Sequence, residues 1–443
     1  MSASPLYTPL HRKPRRHGLL ALSPLAVMAA LFVGLGLLCG GVSQAPVLIV
    51  FVLTACYSLL ILRGLPLEIR LNCFAKGAGA PEMLMMLWIF ILAGAFAATA
   101  KAMGAVDAAV SLTLAALPPS MLLAGVFIAT CLVSFSIGTS VGTIVAIVPV
   151  VAGLAEPSGI GVATLTAAAV GGAFFGDNLS FISDTTIVAT RTQGCLLSDK
   201  FRVNVRIVLP AALFTLAIYL FVGQGHTYAV AATDITLNEW LKVLPYVLVV
   251  VLAMSGMNVL GVLLIANVVT GIAGLFTGAF GGAGWMSAAT DGITAMGELI
   301  IISMLAGGLL EIIRRGGGIT YLIHRLTRRV RTTRGAELTI AALVSFTNLC
   351  TANNTVAILS VGRISYDIAE RYGVDKRKSA SILDTFSCAV QGLLPYGAQL
   401  LMAAGLAAVS PMEIIPALYY PMLTALVALI AILLRLPRKY SAN

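Results

Sequence analysis

The chain has 443 residues, 59% of them hydrophobic and only 10% charged, with a mean hydropathy of +0.98. That balance leaves too little polar surface for a soluble globular fold and predicts a polytopic membrane protein. The formal net charge of +10 would suit nucleic acid, but the Lys and Arg residues lie in short segments between apolar runs, so they report membrane topology and no nucleic-acid partner is expected.

In chain order, the basic run Arg12, Lys13, Arg15 and Arg16 leads into a first apolar segment at 19–39. That segment is longer than a signal-peptide core and further spans follow it, so it is read as an uncleaved first helix behind a cytoplasmic stretch, 1–18. Apolar runs of spanning length follow at 47–63, 83–103, 203–223, 241–257, 258–278, 296–313 and 414–434. Four longer stretches are interrupted by polar residues: 119–155 by SFSIGTSVGT, 336–362 by SFTNLCTANNT, 161–191 by GDNLSFISD and 379–409 by QGLLPYG. Irregular backbone at membrane depth is tolerated only when protein shields it or a water-filled cavity receives it. The seven cysteines have no metal-type spacing and read as small core residues, while the four histidines fall in terminal or loop segments.

The basic residues decide the topology. If 119–155 and 336–362 each dip in and return as re-entrant hairpins, every Lys and Arg except Lys101 and Lys242 falls on one face, the cytoplasmic one. The expected fold is therefore all-α, with ten spanning segments, two hairpins and both termini inside the cytoplasmic membrane of a prokaryote. A constant offset of 211 pairs Ser134 with Ser345, Phe135 with Phe346, Ser140 with Thr351 and Val145–Ala146–Ile147 with Val356–Ala357–Ile358. Continued, it lays Asp184 on Pro395, break upon break. Each half then has five spans, one of them broken, and one hairpin. An odd number of crossings makes the second copy, 241–434, an inverted version of the first, 19–223, with 224–240 an external linker and 435–443 a cytoplasmic tail.

The residues that could carry chemistry cluster at these interruptions. An ionised Asp inside the hydrocarbon costs at least ~2.5 kcal/mol and persists only beside a cavity, a partner or an ion. Asp177, Asn178, Ser180, Ser183, Asp184, Thr185 and Thr186 offer oxygen ligands within ten positions. The competing reading is that Asp177 and Asp184 cap the two half-helices. The hairpin tips are expected to oppose Ser136, Thr139, Ser140 and Thr143 to Asn348, Thr351, Asn353, Asn354 and Thr355. Asp384 and Gln391 are placed at and before the second break, with Tyr396 and Gln399 after it. Glu311 reads as a helix end paired with Arg314 and Arg315, and Glu298 as a boundary residue. No Lys or Arg is expected near the midplane, which favours a cation, Na⁺, as ligand. A carboxylate there would hold Na⁺ and H⁺ in turn. No phosphate-binding glycine loop or metal-hydrolase pattern occurs, so neither ATP-driven transport nor enzymatic activity is expected, and no cofactor. A channel is disfavoured because paired broken helices and opposed hairpins suit alternating access.

The run FFGDNLSFISDTT at 174–186 resembles the FGDxxSPxSDTT pattern of the NhaC family of sodium/proton antiporters, with Phe181 where that pattern has proline. NTVAI at 354–358 and LDTFSC…QGLLPYGAQ at 383–399 are also similar to that family. The resemblance implies Na⁺/H⁺ exchange with the ion at Asp177, Ser180, Asp184 and Thr185, and a moving portion against a rigid scaffold in a homodimer. Because the family includes organic-acid exchangers, Na⁺-coupled transport of a small amino or organic acid stands as the alternative, with Asn353, Asn354, Gln391 and Gln399 as its polar contacts.

Overall fold

The structure, a computed structural model, describes residues 18–41, 44–61, 66–224, 237–328, 330–437 and 440. The basic run before the first helix, His11, His17, His226 and most of the expected linker at 224–240 lie outside the described residues.

Among the described residues the regular structure is helical. The first half comprises α1 (Gly18–Leu38), α2 (Val47–Ile61), α3 (Leu67–Ala78), α4 (Pro81–Ala102), α5 (Ala105–Ala116), α6 (Leu122–Ile137), α7 (Ser140–Gly153), the single turn α8 (Ala155–Ser158), α9 (Val162–Leu179), α10 (Asp184–Gln193) and α11 (Leu197–Gly223). The second comprises α12 (Leu237–Met254), α13 (Val259–Phe276), α14 (Gly282–Ala295), α15 (Gly297–Arg315), α16 (Gly318–Thr327), α17 (Thr333–Thr351), α18 (Asn354–Tyr372), α19 (Lys376–Leu393), α20 (Ala398–Ala407), the single turn α21 (Pro411–Ile414) and α22 (Tyr419–Leu433). Seven helical segments among the described residues are long and apolar enough to cross a membrane, or eight if the bent pair formed by Lys376–Ala407 and Pro411–Ala417 counts as one span. The protein is a polytopic membrane protein. Its large exposed side chains, such as Leu38, Trp88, Phe221 and Phe276, are those of a lipid-facing surface.

Sequence reasoning did not separate α3, α5, α14 and α16. α14 and α15 form one 34-residue segment, Gly282–Arg315, where only 296–313 was expected, and His324, expected in a loop, is an exposed residue of α16. Glu311 meets Arg314 at 2.6 Å and Arg315 at 2.8 Å, the expected paired helix end.

The stretches 119–155 and 336–362 each turn back as a helix–turn–helix unit. Gly138, at φ +76°, and Ala352, at φ +47°, end α6 and α17 in the left-handed region, and a β-region residue, Thr139 or Asn353, opens the returning helix. These turns correct the repeat register. Positions 138 and 352 are 214 apart, as are the starts of α7 and α18, the ends of α9 and α19 and the starts of α10 and α20. The offset of 211 is short by three residues, nearly one helical turn, so it still superimposes apolar faces while misplacing the turns. The hydrogen bonds keep the longer spacing: Ser134 Oγ donates to the Ala173 carbonyl at 2.5 Å, and Asn348 Nδ2, 214 positions on, donates to the Ser387 carbonyl at 2.8 Å.

Packing between the halves is reciprocal. α10 lies on α18 and α20 on α7, α11 on α19 and α22 on α9, α4 on α13 and α2 on α15, α1 on α16 and α5 on α12. The close approach of α9 to α6 needs glycine: a Cβ on Gly176 would sit 2.3 Å from the Phe135 backbone nitrogen, and one on Gly172 2.7 Å from the Phe127 carbonyl. That approach carries the interrupted end of α9 into the centre of the bundle.

Candidate functional site

α9 stops at Leu179 and α10 restarts at Asp184, inside a segment of 32 residues; Ser180 and Ser183 have β-region backbone and Phe181–Ile182 form a turn between them. The break exposes the last carbonyls of α9 and the first N–H groups of α10, a pair of opposed partial charges in an apolar setting.

Asp177 is buried in the last turn of α9. One carboxylate oxygen accepts from Ser183 Oγ at 2.6 Å and the other from Ser140 Oγ, in the first turn of α7, at 2.7 Å. Ser183 occupies the N-cap position of α10 yet makes no side-chain cap bond; its hydroxyl serves Asp177 and lies 2.9 Å from Thr185 Oγ1. The capping reading therefore fails for both acids: Asp177 lies inside α9, and Asp184 is the first residue of α10 rather than its cap.

From Ser140 the network crosses to the second half. Gln399 Nε2, in the first turn of α20, donates to Ser140 Oγ at 3.1 Å and Gln391 Nε2 donates to Gln399 Oε1 at 2.9 Å and to the Ala352 carbonyl at 3.0 Å. Gln391 stands 214 positions after Asp177, so the second half carries an amide where the first carries a carboxylate.

A second cluster lies beside the first, on the other side of Asn178. Lys200 of α11 is fully buried and its ammonium forms an ion pair with Asp384. It also donates to the Asn178 carbonyl at 2.5 Å and to Thr186 Oγ1 at 2.8 Å. Asn204, one turn along α11, donates through Nδ2 to the Asn178 carbonyl at 3.0 Å and to the Asn178 side-chain oxygen. Its own Oδ1 accepts from Ser381 at 2.5 Å and Thr385 at 2.9 Å. Lys200 overturns the expectation that no cation lies near the site. Sequence neighbours assigned it to a cytoplasmic loop, but its four-carbon stem carries the charge inward.

Other candidates are placed differently from expectation. Asp184 is exposed and outside the hydrogen-bonded cluster. Asp384 lies within α19, well before the second break, and reaches the first one, with Thr186 Oγ1 3.4 Å from its carboxylate. Gln399 and Gln391 bridge the two hairpin tips, from Ser140 Oγ to the Ala352 carbonyl. Ser136 bonds back to the Leu132 carbonyl, Thr143 to the Thr139 carbonyl and Thr351 to the Asn353 carbonyl, each within its own hairpin. Asn353 caps α18 through the Val356 N–H, and Asn354 accepts from the Thr355 N–H. Thr355 is half-buried beside them. Ser180 is buried and accepts weakly from the Ile182 N–H at 3.4 Å. Tyr396 ties off the Leu349 carbonyl at 2.8 Å and packs its edge on Phe51. Asn348 binds the Ser387 carbonyl, while its Oδ1, like Gln391 Oε1, is buried without a partner.

Lys200 and Asn204 were legible in one respect. They fall on the buried stripe of α11 with Val203, Ile207, Val208 and Ala211, at helical spacing. A charged residue in register with an apolar stripe is the signal that neighbour-based charge counting overlooks.

Interrupted helices meeting at buried carboxylates within an apolar bundle define a membrane carrier. The sequence profile of the Na⁺/H⁺ antiporter family matches residues 19–224 and 224–436, and the chain belongs to that family. It is similar to the Na⁺/H⁺ antiporter NhaC of Bacillus subtilis, 24% identical over 391 residues, which span 80% of this chain and 84% of the relative. It is also similar to NhaC of Alkalihalophilus pseudofirmus, 26% identical over 345 residues, 70% of this chain and 73% of the relative. The malate-2H⁺/Na⁺-lactate antiporter of Bacillus subtilis is 23% identical over 372 residues, 76% of this chain and 78% of that protein.

Proposed function

We propose that this protein exchanges Na⁺ for H⁺ by alternating access, with Asp177 as the carboxylate that holds the two ions in turn. The observation that carries the reading is the chemistry around Asp177. Its side-chain partners are hydroxyls, Ser140 and Ser183, and no Lys or Arg among the described residues bonds to it. Hydroxyls donate to a bare carboxylate and can rotate to present oxygen to a bound cation, so the same side chains serve both loading states. Thr185, whose hydroxyl lies 2.9 Å from that of Ser183, and the buried Ser180 are assigned as further oxygen ligands. Asp184, exposed at the mouth of α10, is assigned to ion entry rather than to the coordination shell. An inverted relation between the halves, with two re-entrant hairpins and cytoplasmic termini, fits the reciprocal packing and gives two alternately open paths to one site.

Proteoliposomes carrying a pH-sensitive dye test the activity. Addition of NaCl to one side should drive proton movement with no organic solute present. Proton flux that begins only when malate, lactate or an amino acid is supplied would replace this reading with solute-coupled transport.

Cys195, between α10 and α11, tests the orientation. Burial pushes its thiol up to about 11, with Asp199 and Asp375 adding to the effect. An impermeant maleimide should fail to label it in sealed right-side-out cells. In inside-out vesicles it should label slowly at neutral pH and about tenfold faster for each pH unit of increase, as the thiolate fraction grows. Fast labelling from the outer face would reverse the topology.

A further inference from the structure

We infer that Lys200 is a tethered cation that permanently fills a second cation position at the break, so that each carrier exchanges a single free Na⁺. The inference builds on the assignment of Asp177 as the exchanging carboxylate. The ammonium of Lys200 has three oxygen partners: the Asn178 backbone carbonyl at 2.5 Å, the Thr186 hydroxyl at 2.8 Å and the Asp384 carboxylate. One is a carbonyl released in the last turn of a half-helix, one a hydroxyl from the first turn of the next, and one a carboxylate from the other half of the chain. This is the donor set that binds a free alkali cation at an interrupted helix. Here the three N–H groups of an ammonium donate to all three oxygens. Lys200 and Asp384 are both fully buried, so bulk solvent does not screen the pair.

The two clusters meet at consecutive residues of α9. Asp177 takes hydroxyl hydrogen bonds, whereas the carbonyl of Asn178 takes the ammonium. The bundle thus contains two acidic positions side by side, one compensated by a charge built into the chain and one left for an exchangeable ion. A second free Na⁺ at Asp384 would have to displace the ammonium towards the hydrogen-bonded group Asn204, Ser381 and Thr385, none of which carries a negative charge. Lys200 therefore sets the number of ions carried, by occupying a position rather than by touching the transported ion.

Purified protein melted in choline chloride and in NaCl at equal ionic strength tests the inference. Lys200→Met should melt below the wild type in choline and show a larger, saturable upward shift in NaCl than the wild type, because a free cation now enters the vacated cage. Adding Asp384→Asn to Lys200→Met should remove that extra shift. An Na⁺ response of Lys200→Met equal to that of the wild type, or one indifferent to Asp384, would overturn the proposal. If Lys200→Met yields no folded protein, equilibrium binding of radioactive Na⁺ to Asp177→Asn decides: loss of saturable binding supports the tethered cation. Retained binding that disappears on adding Asp384→Asn overturns it. Where Lys200→Met does fold, absence of Na⁺ binding in the wild type would count against Asp177 as the exchanging group, while the melting shift of Lys200→Met would still support the filled cage.

Discussion

Asp177→Asn is expected to abolish Na⁺-dependent proton flux while leaving the protein folded in the membrane. The substitution keeps the volume and an oxygen acceptor, so at least one of the hydroxyl contacts from Ser140 and Ser183, now at 2.7 and 2.6 Å, survives. What disappears is the capacity to bind a proton at one stage and a metal ion at another, and no neighbour in the network replaces it: Ser140, Ser183, Thr185 and Gln399 do not titrate in the accessible range. Proteoliposomes made with the variant should show the background flux of protein-free vesicles, and the size-exclusion profile should match the wild type. Flux within a factor of two of the wild type would remove Asp177 from the ion path.

Asp384→Ala should have the largest effect on stability. It leaves the Lys200 ammonium buried with only neutral oxygens, and breaking a buried pair by removing one partner costs ~3–5 kcal/mol. The variant should melt well below the wild type and be recovered in low yield. Removing both charges with Lys200→Met and Asp384→Leu should restore most of that loss, since matched apolar groups carry no desolvation penalty. A double variant no more stable than Asp384→Ala would show that packing around α11, rather than charge compensation, dominates the site.

The outline of the bundle and its central break were readable because apolar length and polar interruption are local properties. The burial of Asp177 beside that break was readable for the same reason. The relation between Asp177 and Asp184 was not. Seven residues apart, they would share one face of a continuous helix, but the non-helical turn at Ser180–Ser183 cancels that periodicity and leaves one acid buried and the other exposed. The partners of Asp384, itself singled out as a candidate, escaped for a different reason. Lys200 and Thr186 come from the other half of the sequence, and long-range pairing leaves no trace in local spacing. The hairpin tips were located, and Ser140 of the first joins the Asp177 network, whereas Asn353 and Thr351 of the second bond within their own turn.

The reciprocal packing of the halves bears on how the polypeptide could be divided. α10 rests on α18 and α20 on α7, while the Lys200–Asp384 pair and the Gln399–Ser140 contact each join residues from opposite halves. A chain cut between α11 and α12 would therefore give two fragments, each with a charged or amide-bearing seam turned towards lipid. Neither fragment should persist alone, and co-translation of both should recover the complete carrier.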